Sequence, residues 1–230
     1  MSSALPLAVE YHRWFYELSK PYLGENILDI GSGVGNHLPF FEGRDLICLD
    51  ASPTSVSRLE SEFGGPGREF VAGDICDPAI VEQLSAKQID TATCFNVLEH
   101  IEAHEQALQN MRRILEPCKG NLILVVPAHE FLYGAMDHLA GHHRRFSKRQ
   151  LSTLLRQCGF KIIVSRYMNA VGAVGWFING RLFRPKHLST PTLNTQVVLF
   201  SRLLVPGIRL VESVLAPPFG QSLMAVATPL

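Results

Sequence analysis

The chain has 230 residues, 47% of them hydrophobic and 18% charged, which is enough apolar material to bury a full core. Its 21 basic and 21 acidic residues cancel to a formal net charge of zero, so no overall field draws it to nucleic acid, and an anionic partner must meet a local basic patch. The length suits one domain, 1–230, with an elaboration. The five cysteines, Cys48, Cys76, Cys94, Cys118 and Cys158, lack CxxC spacing and read as reduced, small apolar residues. Met1-Ser2-Ser3-Ala4-Leu5-Pro6 lacks the basic start and unbroken apolar run of a signal peptide, which predicts a cytoplasmic protein.

A helix is predicted near 8–20, then a strand near 26–30 that runs through Asp29 into three glycines at alternate positions, Gly31, Gly33 and Gly35. Glycine there lets the backbone turn and approach a ligand with no Cβ in the way. A helix predicted over 36–41 would aim its free N–H groups at that ligand. A dinucleotide loop wants G-x-G-x-x-G, but position 36 is Asn36 and the third glycine comes one residue early, which disfavours NAD. Asp29 adds a carboxylate where a pyrophosphate is repelled and an amine is welcome.

A second strand, near 46–50, ends in Asp50, where an acid can accept both hydroxyls of a ribose. After a helix near 54–63, a third strand near 69–73 ends at Asp74 and Ile75. Asp77 caps a helix near 78–86, with Pro78 in its first turn. The fourth strand, near 89–96, ends in Asn96-Val97-Leu98-Glu99-His100. A helix near 102–115, a strand near 120–126, a helix near 148–158 and strands near 160–167 and 221–227 complete the pattern. Ser147 and Gln150 form a capping box, and Gly159 stops that helix. The alternation predicts an α/β fold with a parallel-type sheet, helices on both faces and functional residues at the C-terminal strand ends.

The stretch Tyr133 to Phe146 follows the fifth strand and is chemically dense. His138, His142 and His143 are candidates for a general base, and Arg144 and Arg145 for holding a carboxylate or phosphate. His138 and His142 are four apart, with Asp137 adjacent, a spacing a metal could use. No second ligand cluster is evident, so no metal is expected. The bland alternative is a solvated loop with Arg144 or Arg145 paired to Glu99 or Glu102.

Asp29-Ile30-Gly31-Ser32-Gly33-Val34-Gly35, Asp50, Asp74-Ile75 and Asn96-Val97-Leu98-Glu99-His100 resemble, in order and spacing, the class I S-adenosylmethionine-dependent methyltransferases. The likeness covers about 20–167 plus the last few residues. The ending Pro217-Pro218-Phe219-Gly220-Gln221-Ser222-Leu223 is similar to bacterial small-molecule enzymes of the methyltransferase type 11/12 group. The resemblance implies a Rossmann-like seven-stranded sheet whose last two strands form an antiparallel pair. It implies S-adenosylmethionine as cofactor, with S-adenosylhomocysteine as product. Asp29 would lie near the amino end, Asp50 with Ala51 and Ser52 at the ribose, and Asp74 with Ile75 around adenine. Gly31, Ser32, Gly33, Gly35, Asn96, Val97 and Glu99 complete the cofactor set. Tyr11 and Trp14, in an N-terminal cover (1–22), join His100, Tyr133, Arg144 and Arg145 as substrate candidates.

The expected reaction is methyl transfer to an O, N or C nucleophile of a small molecule, anionic or lipid-like. A cofactor-binding module without catalysis and an NAD-dependent oxidoreductase are the alternatives. Base methylation of nucleic acid fits poorly, because the chain is neutral and Asn96 is followed by Val97-Leu98 rather than Pro-Pro-aromatic. The main departure from a minimal fold is an insertion of about fifty residues, 168–220. It contains Trp176, a short helix to Phe183, a proline-containing linker, and an apolar run from Val197 to Leu215. Arg202, Arg209, Glu212 and Pro206-Gly207 interrupt that run, so it reads as two amphipathic pieces and not a membrane span. A lid or homodimer surface is the leading reading, and peripheral membrane contact the other.

Overall fold

The computed structural model describes residues 8–179 and 191–230. The strands are β1 (Asn26–Ile30), β2 (Asp45–Asp50), β3 (Arg68–Ala72), β4 (Thr91–Phe95), β5 (Asn121–Pro127), β6 (Phe160–Met168) and β7 (Ser222–Pro229). They form one sheet in the order β3-β2-β1-β4-β5-β7-β6. The first five run parallel, and β7 is antiparallel to both β5 and β6.

Successive side chains of a strand point to opposite faces, so each apolar strand feeds two cores. Along β5, Leu122, Leu124 and Val126 enter one cluster, and Ile123 and Val125 the other. The first cluster takes its helical half from α3 (Pro78–Ser85), α4 (His104–Leu115) and α6 (Lys148–Gln157). The second takes it from α1 (Val9–Ser19), α2 (Pro53–Phe63) and Val205. Helices therefore cover both faces of the sheet, as the sequence predicts.

The predicted caps form. Asp77 accepts the amide of Ala79 at 2.9 Å, and Ser147 and Gln150 make a reciprocal capping box. The helix expected over 36–41 does not form as an α-helix. Turns lead instead into a 3-10 helix, Leu38–Phe41, with Pro39 in its first turn and Gly43 in the left-handed region just beyond. Pro39 has no N–H to give, and four residues before a glycine stop are too few to propagate an α-helix.

A short helix, α5 (Ala135–Ala140), follows β5, and α7 (Ala170–Phe177) follows β6. Further on, α8 (Pro191–Leu199) and α9 (Val205–Val214) are joined by a five-residue π-helix, Phe200–Leu204. The break expected at Pro206-Gly207 thus falls just before Pro206, which sits in the first turn of α9. Pro206 cannot donate to Arg202, so the regular ladder stops there and restarts. Among the described residues no helix is long and apolar enough to cross a membrane. The start at Met1 to Pro6, the helix end at Phe183 and the proline-containing linker lie outside the described residues.

The insertion is fastened at its base. Glu212 of α9 is buried, and its two carboxylate oxygens accept the amides of Asn169 and Ala170, each at 2.9 Å, at the start of α7. A carboxylate at a helix N-terminus satisfies donors that have no partner within the helix. Asn169, at φ +62°, adds its own cap to Gly172 at 2.9 Å and donates to Gln221 at 2.8 Å.

Candidate cofactor and acceptor site

The strand order reverses between β1 and β4, and a cavity of about 1150 Å³ opens outside the C-terminal strand ends around that point. Such a crevice is where open α/β sheets bind ligands. One end is lined by Gly31, Ser32 and Gly33, by Asp50 and Ala51, by Asp74 and Ile75, and by Asn96 and Val97. The other reaches Tyr11, Glu99, His100, His142, Arg145 and Trp176.

The glycine loop is held by backbone bonds. Gly31, at φ +71°, donates to Leu49 O at 2.7 Å, and a Cβ there would sit 2.4 Å from a methyl of Val97. Gly33, at φ +57°, donates to Asp50 Oδ2 at 2.8 Å, while Ser52 N donates to Asp50 Oδ1 at 2.9 Å. A carboxylate offers about four lone-pair sites, so Asp50 keeps capacity for two further donors. Gly35 does something else. A Cβ on it would meet Leu59 and Phe63 at 2.8 Å, and it is not part of the cavity lining. Ser52 likewise caps α2 rather than lining the cavity.

Asp29 is buried behind the loop, where its Oδ1 accepts the Thr93 hydroxyl at 2.7 Å. Burial pushes its carboxyl up to about 6, against the lowering effect of the Thr93 and Ser32 hydroxyls. Asn96 stands in the left-handed region at φ +54°, which asparagine tolerates better than most residues.

At the far end, Glu99 is fully buried, and burial pushes its carboxyl up to about 8. His142 Nε2 lies 3.9 Å from Glu99 Oε1, and its Nδ1 is 2.8 Å from Asp137 Oδ1. Asp137 is a hub. Its carboxylate also accepts Arg145 Nε at 2.8 Å, Gly134 N at 3.0 Å and Trp176 Nε1 at 3.2 Å. Burial alone would raise the Asp137 carboxyl, but the bonds from His142 and Arg145 hold it below the usual range. His100 packs edge-on against His142 at 4.8 Å, with its Nδ1 3.1 Å from Gly141 O, and burial lowers it.

Several sequence candidates are placed elsewhere. Trp14 is 1% exposed and belongs to the core beneath α1, so it does not line the cavity. Arg144 donates to Ile101 O at 2.7 Å and contacts His104, which removes it from an anion clamp. Arg145 does line the cavity, with its Nε donating to Asp137 and its Nη1 to Ala128 O at 3.0 Å. His138 and His143 are exposed and off the cavity, and Tyr133 donates to His142 O at 2.6 Å from outside it. Gly141, at φ +79°, ends α5 at Ala140, so His138 and His142 do not share a helical face.

Sequence reasoning treated Glu99 and His142 separately, and it gave Trp176 and His37 no role although both line the cavity. His37 Nε2 lies 3.2 Å from His12 Nδ1, and burial lowers His37 well below the ordinary histidine range. No local spacing signals these contacts, because they join residues far apart in the chain.

The methyltransferase domain model matches residues 8–165. No curated protein matches the chain. Among solved structures, a S-adenosylmethionine-dependent methyltransferase of Thermotoga maritima is 18% identical with a TM-score of 0.62, over 96% of this chain and 90% of that one. One from Archaeoglobus fulgidus is 17% identical with a TM-score of 0.57, over 94% of each. The 1,6-didemethyltoxoflavin-N1-methyltransferase of Burkholderia thailandensis, with 1,6-didemethyltoxoflavin and S-adenosylhomocysteine bound, is 17% identical with a TM-score of 0.56, over 95% and 77%. At these identities the likeness speaks for the fold. The match across most of the chain, together with this sheet order and crevice, means that the chain belongs to the methyltransferase domain family, with the fold of the class I S-adenosylmethionine-dependent methyltransferases.

Proposed function

We propose that this chain moves a methyl group from S-adenosylmethionine to a nucleophile of a small molecule. The observation that carries the reading is one continuous cavity, with the glycine loop and two strand-end carboxylates at one end and the imidazoles of His100 and His142 at the other. S-adenosylmethionine supplies an electrophilic methyl group on a sulfonium. The residues present fit it, since a pyrophosphate would face Asp50 and Asp74, whereas ribose hydroxyls and an ammonium are attracted by carboxylates.

In this reading Asp50 takes the ribose, Asp74 and Ile75 flank the adenine, and Asp29 attracts the amino group from behind Ser32. Gly31 and Gly33 keep the backbone open to close approach. Tyr11, His100, His142 and Trp176 shape the acceptor end, orient the nucleophile and keep water out, which is the main contribution a protein makes to such a transfer. The test is calorimetric titration with S-adenosylhomocysteine and with NAD, followed by transfer of a labelled methyl group to a panel of hydroxylated, amine and lipid-like acceptors. Binding of NAD in place of S-adenosylhomocysteine would sink the proposal.

A lipid-like acceptor has one specific observation in its favour. Leu203, Leu210, Val214 and Leu215 of the insertion are 69%, 71%, 80% and 69% exposed. Apolar side chains so exposed on neighbouring turns suit an interface with lipid or with another apolar body.

A further inference from the structure

The acceptor end contains more ionisable machinery than positioning alone requires. Glu99 is 0% exposed, and neither of its carboxylate oxygens has a hydrogen-bond partner. A buried carboxyl with no partner stays protonated or is joined by a cation, and in either state its two oxygens leave room for a ligand. Arg145 does not fill that role by contact, since its Nε and Nη1 are spent on Asp137 and Ala128 O. What does face Glu99 is a pair of imidazoles. One ligand atom from each of Glu99, His100 and His142 lies within 4.8 Å of the others, and all three residues line the cavity.

We infer that Glu99, His100 and His142 form a binding site for a divalent cation of the zinc type, open toward the acceptor. Two imidazoles and one carboxylate are a donor set that zinc accepts while keeping a position free. Bonds of about 2.0–2.2 Å would bring the donors to about 3.3 Å apart, so closing the site takes about 1 Å of side-chain movement. The outer contacts are those a metal-bound histidine needs. A proton on His142 Nδ1 satisfies Asp137 at 2.8 Å and leaves the Nε2 lone pair toward Glu99. A proton on His100 Nδ1 satisfies Gly141 O at 3.1 Å in the same way. Asp137 is a positioning residue, itself fixed by Arg145, Gly134 and Trp176.

The inference rests on the proposed methyl transfer and narrows its substrate. A cation with an open position favours an acceptor oxygen, because coordination lowers the pKa of a bound hydroxyl. The substrate class is therefore a hydroxylated small molecule. The sequence predicts no metal, because no second ligand cluster accompanies His138 and His142. The tertiary fold supplies a different trio.

The test is calorimetric titration of the chelator-stripped full chain with Zn²⁺ in the absence of cofactor, with S-adenosylhomocysteine titrated separately in the absence of zinc. One zinc per chain is expected. His100→Ala and His142→Ala should each weaken it by about 100-fold or more, and Asp137→Asn by about 10- to 100-fold. His100 is exposed, so its variant should keep the fold, which circular dichroism checks. Co²⁺ in place of Zn²⁺ should give visible absorption bands that change in Asp137→Asn, which a purely structural role would leave alone. Absence of stoichiometric zinc in the folded chain, or unchanged affinity in both histidine variants, overturns the site. Zinc uptake without S-adenosylhomocysteine binding would keep the metal and discard the transferase reading, and the reverse result would do the opposite.

Discussion

Gly33 donates its amide to Asp50 Oδ2 across 2.8 Å, which ties the middle of the glycine loop to the end of β2 before any ligand arrives. The loop is thereby preorganised, and less ordering is left for binding to bring about.

Asp50→Ala should weaken S-adenosylhomocysteine binding by about 1.5–3 kcal/mol, the range for hydrogen bonds to a charged group. Gly33→Val should abolish it, because a β-branched residue at φ +57° is strained and fills the approach. Calorimetry reads both. An unaltered affinity in Asp50→Ala would take that residue out of the cofactor site.

Asp29 predicts a pH effect on stability without cofactor. Burial pushes its folded carboxyl up to about 6, above the ordinary aspartate value of about 3.9, so protonation favours the folded state. The contribution is fully present below about pH 4 and is lost as the pH rises through about 6, to a total of about 3 kcal/mol. Asp29→Asn should remove this dependence. Urea unfolding of both proteins at pH 4, 5, 6 and 7 measures it, and parallel pH curves would refute the assignment.

The two adjacent arginines should differ sharply. Arg145 and Asp137 form a buried pair at 2.8 Å, with side chains 1% and 0% exposed. Arg145→Met leaves a buried carboxylate without its main cation and should cost about 3–5 kcal/mol of stability. Arg144→Ala removes a hydrogen bond to Ile101 O and should cost about 1 kcal/mol. Equal shifts in the urea midpoint would contradict the distinction.

The insertion is expected to act as a lid over the acceptor end, which Trp176 and Val197 already line. Hydrogen exchange should slow in 170–177 and 195–214 when S-adenosylhomocysteine and an acceptor are both bound, and the chain should stay in the soluble fraction in a liposome flotation assay. Flotation with no ligand-dependent protection would favour the interfacial reading of the exposed leucines.

Strands and their terminal acids were legible because a two-residue period and a closing acid are local signals. Asp50, Asp74 and Asn96 stand at or just past the strand ends where the pattern put them. The 3-10 turn at Leu38–Phe41 is not legible from the apolar pattern, because Pro39 and the left-handed Gly43 leave too short a segment for an α-helix. The acceptor end was legible only in pieces. Glu99 and His142 are far apart in sequence, and they meet because His143 N bonds Glu99 O at 2.9 Å while Gly141 turns the chain. Gly35 shows the converse, a glycine read as ligand-facing that serves packing against Leu59 and Phe63.

The bond from Trp176 to Asp137 joins an insertion to the residue that aims His142. If α7 lifts, Asp137 loses a donor and the imidazole loses part of what fixes its rotation and tautomer. Under the proposed methyl transfer, opening the pocket for exchange and disarming its chemistry would be one motion, and a half-open molecule would be spared the risk of passing its methyl group to water.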